Sequence, residues 1–162
     1  MEQKILLLGN PALYQISPAV TEEDLHELPT IIEDLHDTLM AFRKKYGVGR
    51  AIAAPQIGVQ KRILYMHIDH PLIFINPRLE FPDAEQMEVL DDCMSFPNLL
   101  VKVLRYKRCT LHYTDMEHHA CKMELEGDLA ELLQHEYDHL DGILAVMRNI
   151  DKYSYVWKES PQ

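Results

Sequence analysis

The segment from Gln134 to Leu144 reads QHEYDHLDGIL. On an α-helix with about 3.6 residues per turn, side chains four apart lie only about 40° apart around the axis. His135 and His139 therefore project side by side and can donate two nitrogens to one metal ion. Glu136 stands one residue further round, near enough to act on water there without being a ligand. This H-E-x-x-H arrangement is a specific signature of metal-assisted hydrolysis: two imidazoles bind, and the carboxylate serves as general base and later as proton donor. Histidines at this spacing are commonly plain surface residues, but the apolar neighbours Leu132, Leu133, Leu140 and Ile143 argue for a buried face.

A third ligand narrows the chemistry. Metzincin proteases continue H-E-x-x-H-x-x-G-x-x-H, and this chain has Gly142 in register but Ala145 where the last histidine belongs. Thermolysin-like proteases take a later glutamate. Only 162 − 139 = 23 residues follow His139, and their sole glutamate, Glu159, lies three from the end. Upstream, Cys93 sits in LDDCMSFP. One thiolate and two imidazoles make a three-ligand site with a fourth position open to water, the catalytic pattern. Cys109 and Cys121 have no comparable context and are expected to be small buried hydrophobes.

These groups need elements to position them. Leu28, Ile31, Ile32, Leu35, Leu39 and Phe42 recur at helical spacing, so an amphipathic helix is expected, started near Thr21 or His26 and stopped by Gly47. Pro29 is tolerated in its first turn. Glu33, Asp34, Asp37 and Arg43 would form its exposed face, with no chemistry assigned. The opening KILLLGNPALYQIS is expected to lie along the body as an extended arm. RILYMHI, LIFINPRL, VLDDCM, VKVLRY, CTLHYT and KMEL read as strands, and a second helix should run from Gly127 or Asp128 through LAELLQHEYDHL to Gly142. Helix, several strands, then helix predicts an α+β fold, with antiparallel β-sheets around a central helix that carries HExxH.

The bulk numbers bound the rest. A chain of 162 residues, 47% hydrophobic, can bury one proper core but hardly two, so residues 1–162 are expected to form a single domain. A net charge of −10 with only 16 Lys and Arg argues against direct nucleic-acid binding. No apolar run reaches the roughly 18 residues a membrane span needs. The run Ile5 to Leu8 lacks the cationic lead and cleavage site of a signal peptide. Three cysteines make a disulfide framework improbable, so a reducing compartment, the cytoplasm, is expected.

Taken together, Cys93, His135, Glu136 and His139 resemble the active site of the peptide deformylases. That family shows three ordered motifs, G-x-G-x-A-A-P-Q, E-G-C-x-S and H-E-x-D-H. Here they appear as GRAIAAPQ (49–56), DDCMS (91–95) and HEYDH (135–139), with an FINP turn at Phe74 to Pro77 and LDGIL after the last. The likeness runs from about Ile5 to Met147. It implies a hydrolase that removes formyl from the N-terminal methionine of nascent polypeptides, using one divalent metal per chain, Fe(II) or Zn(II), held by Cys93, His135 and His139. Asp138 would orient neighbouring groups. By the same likeness, the Gln56 amide and the Met94 backbone N–H would donate to the developing oxyanion; one such donor is commonly worth about 3 kcal/mol. The implied partners are N-formylated polypeptide N-termini and, transiently, the ribosome. Oligomeric state is left open.

Departures from the motifs fall on the substrate-binding stretches, Gly49, Arg50, Ala51, Asp92 and Glu131. Ala51 replaces the second glycine, with Arg50 at the usually aliphatic position between Gly49 and Ala51. Asp91, Asp92 and Met94 stand where the family has Glu, Gly and commonly Leu. Asp92 matters most, because glycine often marks a backbone of positive φ. Glu131, one turn before His135, shares the metal-facing side of the helix where the family's methionine pocket is apolar. Arg50 is its candidate partner; spacing alone leaves open that both point to solvent. These departures raise two expectations, a changed preference for formyl-methionine and, as the alternative, a catalytically impaired metal- and peptide-binding protein.

Overall fold

The structure, a computed structural model, describes residues 1–159. Two helices and eight strands carry the site: α1 (Leu28–Tyr46), β1 (Ala51–Ala53), β2 (Ile63–His67), β3 (Pro71–Glu80), β4 (Gln86–Asp91), β5 (Leu99–Tyr106), β6 (Arg108–Thr114), β7 (Ala120–Glu126), α2 (Asp128–Leu140) and β8 (Tyr155–Trp157). The strands form a five-stranded antiparallel sheet, β1-β2-β3-β6-β7, and a three-stranded one, β4-β5-β8. The expected α+β architecture is therefore present. Strands β1 and β8 were not anticipated; at three residues each they are too short to show alternation.

The helix boundaries follow their local chemistry. Thr21 and Asp24 bond reciprocally around the start of a 3-10 turn, Glu22–Glu27, that leads into α1, with Pro29 in the first turn. Gly47 ends α1 in the left-handed conformation (φ 75°), its N–H bonded to Arg43 O.

Side-chain alternation along β2 explains how two helices share one sheet. Ile63 and Tyr65 pack with Leu28, Ile31, Leu35 and Leu39 of α1, while Leu64 and Met66 pack with Ala130, Leu132, Leu133 and Leu140 of α2. Both faces of β2 are thus buried, which is why its sequence reads as a continuous apolar run. A third cluster, including Leu13, Phe96, Val101, Val103 and Leu144, brings Cys93 against the smaller sheet. Helix α2 contacts both β1 and β5, and so lies between the two sheets.

Two local features differ from the sequence expectation. The FINP segment is a bulge within β3, where the register shifts between Ile75 and Arg78 and Asn76 takes φ 49°. Asn76 is held there by hydrogen bonds to both the N–H and the carbonyl of Val20. Residue Arg43 is not a surface charge: its guanidinium donates to Gly49 O at 2.9 and 2.7 Å, and also to His67 O. It thereby clamps the strand carrying the first motif.

Candidate active site

The N-terminal arm is extended as far as Leu7 but turns into a short 3-10 helix at Pro11–Tyr14, capped by Asn10, which the expected extended arm did not foresee; it ties two motifs together. Leu6 N–H donates to Gln56 O at 2.8 Å and Leu8 N–H to Ser95 O at 2.9 Å. Further along, the arm passes the end of α2, where Ser17 N–H caps Leu140 O at 2.8 Å. Gly142 permits this approach: it has φ +71°, and a Cβ built there would lie 2.5 Å from Tyr14 O.

Helix α2 begins after Gly127 and presents His135, Glu136 and His139 on its buried side. Cys93, in the turn after β4, meets them. One donor atom from each of Cys93, His135 and His139 lies within 4.8 Å of the others, and Cys93 Sγ is 3.4 Å from His139 Nε2. Since His135 Nδ1 is bonded to Asp91 Oδ2 at 3.0 Å, its Nε2 is the nitrogen free to bind. A soft thiolate and two imidazoles at this separation, all buried, fit a single divalent ion. An unpartnered buried oxygen, Glu136 Oε2, supports the same conclusion, because such a group is costly unless something polar enters beside it.

The electrostatics separate the titratable groups. Burial disfavours the His135 imidazolium, but Asp91 and then Cys93 outweigh it and hold its pKa well above the usual value. Asp91 is likewise opposed by burial, yet His135 and Arg105 bring it down to about 2. His139 moves the other way, lowered by burial and then by His135. Burial raises Glu136 to about 7, poised for proton transfer near neutrality.

The carboxylate that orients a ligand is Asp91, not Asp138. Arg105 Nη2 donates to Asp91 at 2.9 Å and Nη1 to Asp138 at 2.6 Å, while Arg148 donates to Asp138 at 2.6 and 2.9 Å. Asp138 thus acts three hydrogen bonds away from the imidazole, through Arg105 and Asp91. The signal for Arg105 was present in the sequence. In VKVLRY the buried positions are Val101, Val103 and Arg105, and an arginine on the inward face of an alternating strand needs buried carboxylates.

Gln56 is oriented by its own backbone and by the second motif. Its Oε1 accepts from Ala53 N–H at 2.9 Å, so its Nε2 points toward Ser95 Oγ (3.1 Å) and Cys93 Sγ (3.6 Å). Gly49 has φ +129°, and a Cβ there would press on Phe42 and Leu39 at 3.3 and 3.4 Å. Asp92 and Ala51 have no positive φ; among non-glycine described residues only Asn76 and His118 do. The backbone around both replacements is therefore unstrained, and Asp92 instead faces outward with Lys158 at 3.8 Å.

A cavity of about 510 Å³ opens onto Cys93, His135 and Glu136. It is lined by all five sequence-predicted substrate positions, Gly49, Arg50, Ala51, Asp92 and Glu131, and by Met94. Arg50 and Glu131 are neighbours, 3.7 Å apart, and Arg50 also bonds Asp128. Burial, then Asp91, raises Glu131 to about 7, with His135 and Arg50 opposing. Phe42, Val48, Ile68, Pro97 and Lys158 also line the cavity and were not anticipated, because packing or exposure alone accounts for each of them in the sequence. Of the two remaining cysteines, Cys109 is buried as expected, whereas Cys121 is partly exposed, with Asp115 Oδ2 at 3.6 Å.

Comparison with known proteins gives a consistent result. The family model for polypeptide deformylase matches residues 2–154. The peptide deformylase of Treponema pallidum (strain Nichols) is 35% identical over 150 residues, covering 92% of this chain and 89% of that protein. That of Thermotoga maritima is 34% identical over 146 residues, covering 90% and 85%. Among solved structures, the Thermotoga maritima peptide deformylase superimposes with a TM-score of 0.84 at 32% identity, covering 93% of this chain and 99% of that one. A peptide deformylase from Synechococcus elongatus in complex with actinonin gives 0.85 at 28% identity, covering 94% and 81%.

Proposed function

The chain belongs to the polypeptide deformylase family of metal-dependent hydrolases, and we propose that Cys93, His135 and His139 hold its metal while Glu136 moves the proton during removal of formyl from N-terminal methionine. The observation that carries this is the convergence of one thiol and two imidazoles beside a buried carboxylate whose Oε2 has no protein partner.

A divalent ion held there supplies Lewis acidity to water and to the formyl carbonyl. Glu136 accepts a proton from the attacking water as the new C–O bond forms at the formyl carbon. As that carbon becomes tetrahedral, negative charge gathers on the former carbonyl oxygen, and the Gln56 amide and Met94 N–H donate to it. Glu136 then delivers its proton to the amine nitrogen as the C–N bond breaks, leaving formate and a free N-terminus. Arg105, through Asp91, keeps the His135 ring turned so that Nε2 faces the site.

Fe(II) and Zn(II) both suit this ligand set, since thiolate and imidazole serve either. We assign the reaction to the cytoplasm, on chains emerging from the ribosome, and treat residues 1–162 as one catalytic domain. Three free cysteines support a reducing compartment, and no helix among the described residues is long and apolar enough to cross a membrane. The alternative, a binding protein without turnover, rested on Asp92 and Ala51. It has no observation in its favour once both occupy ordinary backbone.

Formate release from N-formyl and N-acetyl peptides tests the proposal, using protein loaded with Fe(II) under exclusion of oxygen and, separately, with Zn(II). Hydrolysis of formyl peptides and not of acetyl ones is expected. Absence of formate with both metals, in protein shown to contain one ion per chain, overturns it.

A further inference from the structure

The proposed metal ligands come from two separate bodies. Cys93 follows β4 of the smaller sheet, whereas His135 and His139 belong to α2. A metal site tolerates only about 0.2 Å of error in each ligand distance, so the helix must be fixed against that sheet. Three side-chain links join them. His135 bonds Asp91 of β4 at 3.0 Å, Asp138 bonds Arg105 of β5 at 2.6 Å, and Gln134 bonds Tyr106 of β5.

The third link differs in kind, because it ends on backbone. Gln134 is 5% exposed; its Oε1 accepts from Tyr106 N–H at 2.9 Å and its Nε2 donates to Tyr106 O at 2.7 Å. Nε2 also donates to Ala130 O, one turn back on α2, at 3.0 Å, so both amide hydrogens are used and the amide is locked from its own helix. Strand β8 pairs with β5 only over Leu99–Val101, and at Tyr106 the amide supplies the two-bond rung that a neighbouring strand would give. The other two links end on charged side chains, which can follow a shift of the helix by rotating about their own torsions. A backbone rung cannot. Gln134 and Asp138 stand four apart and share a face of α2, and they hold adjacent residues of β5. Fixing Tyr106 therefore places Arg105 where its guanidinium reaches both Asp138 and Asp91.

We propose that Gln134 is a positioning residue for the metal site: its amide sets the register of α2 on β5, and with it the separation between Cys93 and the two imidazoles. This rests on the ligand assignment above. Gln134 does not line the cavity, so its effect is carried through the helix.

The test loads Co(II) into wild type, Gln134→Met and Leu133→Val. Gln134→Met is nearly isosteric and removes all three bonds. Leu133 packs in the cluster that joins α2 to the larger sheet, and its variant is the control for a helix that is merely less stable. Urea unfolding reads stability, chelator competition reads metal affinity, and the thiolate-to-cobalt charge-transfer band reads the bond to Cys93. Gln134→Met is expected to lower metal affinity about tenfold and to weaken the band. Leu133→Val is expected to lower stability while affinity and band stay within about twofold of wild type. If Gln134→Met does not fold, Gln134→Asn carries the test, since its amide is one methylene too short to reach Tyr106. Affinity and band within about twofold of wild type in the Gln134 variant, or equal losses of affinity in the Gln134 and Leu133 variants, overturn the proposal. Absence of the charge-transfer band from metal-loaded wild type condemns the ligand assignment instead.

Discussion

Asp91 Oδ2 accepts the Nδ1 proton of His135 at 3.0 Å, and the same oxygen receives Arg105 Nη2 at 2.9 Å. One carboxylate thus fixes the tautomer and rotation of a metal ligand while its own charge is balanced from behind. Asp91→Asn removes the charge and, in one amide orientation, sets a donor against Nδ1–H. Metal affinity is expected to fall by roughly 10- to 100-fold, measured by chelator competition, with Asp91→Glu restoring most of it. Unchanged affinity in the Asn variant would show that the ring is held by packing alone.

Arg105 is 3% exposed and bridges Asp91 and Asp138. Arg105→Met leaves Asp91 without its cation and Asp138 with Arg148 alone. Removing one partner from a buried pair commonly costs about 3–5 kcal/mol, so urea unfolding should show a loss of that order. The double variant Arg105→Met with Asp91→Leu should recover part of it, because no bare carboxylate remains at that position.

Glu136→Gln keeps the size of the side chain but cannot accept a proton. Formate release is expected to drop by at least about 10²-fold, while metal content stays at one ion per chain. Elemental analysis beside the kinetic assay separates this from loss of the ion. Residual turnover within tenfold of wild type contradicts the role assigned to Glu136.

Gly142→Ala places a methyl group about where the Tyr14 carbonyl already sits, 2.5 Å from its oxygen, at a backbone angle of φ +71°. Clash and strain together are expected to cost more than about 1–3 kcal/mol, read as a lower melting temperature. The arm carrying Tyr14 also meets Gln56 and Ser95, so Gly142→Ala should depress kcat even below the melting transition. Gly58→Ala, where a Cβ meets nothing within 4 Å, is the control for backbone strain alone.

A pH effect follows from Asp24, lowered from 3.8 to about 2 by its bond to Lys61 and then by the backbone of Thr21. A carboxylate with a depressed folded-state pKa contributes stability that is fully present above its unfolded pKa and fades as pH falls through the folded one. The melting-temperature gap between wild type and Asp24→Asn should therefore be steady above about pH 4 and shrink toward pH 2. A gap that is independent of pH would mean that Asp24 acts by shape alone.

The sequence by itself determined both helices, the longer strands and the chemistry they carry, though not the three-residue β1 and β8. HEYDH on an apolar-faced helix, Cys93 after an alternating strand, and Gly47 and Gly142 as helix stops are local facts, set by 3.6- and two-residue periodicities and by which residues tolerate positive φ. The pairing of Arg50 with Glu131 stood as one of two alternatives, because spacing along a chain does not say whether a loop faces a helix. Only the tertiary structure decided that Asp91 rather than Asp138 holds His135, that Arg43 clamps Gly49 instead of facing solvent, and that the N-terminal arm bridges Gln56 and Ser95. Apart from the Arg43–Gly49 clamp, six residues apart, those contacts join residues distant in sequence, between Asp91 and His135 by 44 positions, and which inward-facing partner a buried charge finds depends on how two sheets pack against one helix. No periodicity along the chain records that packing.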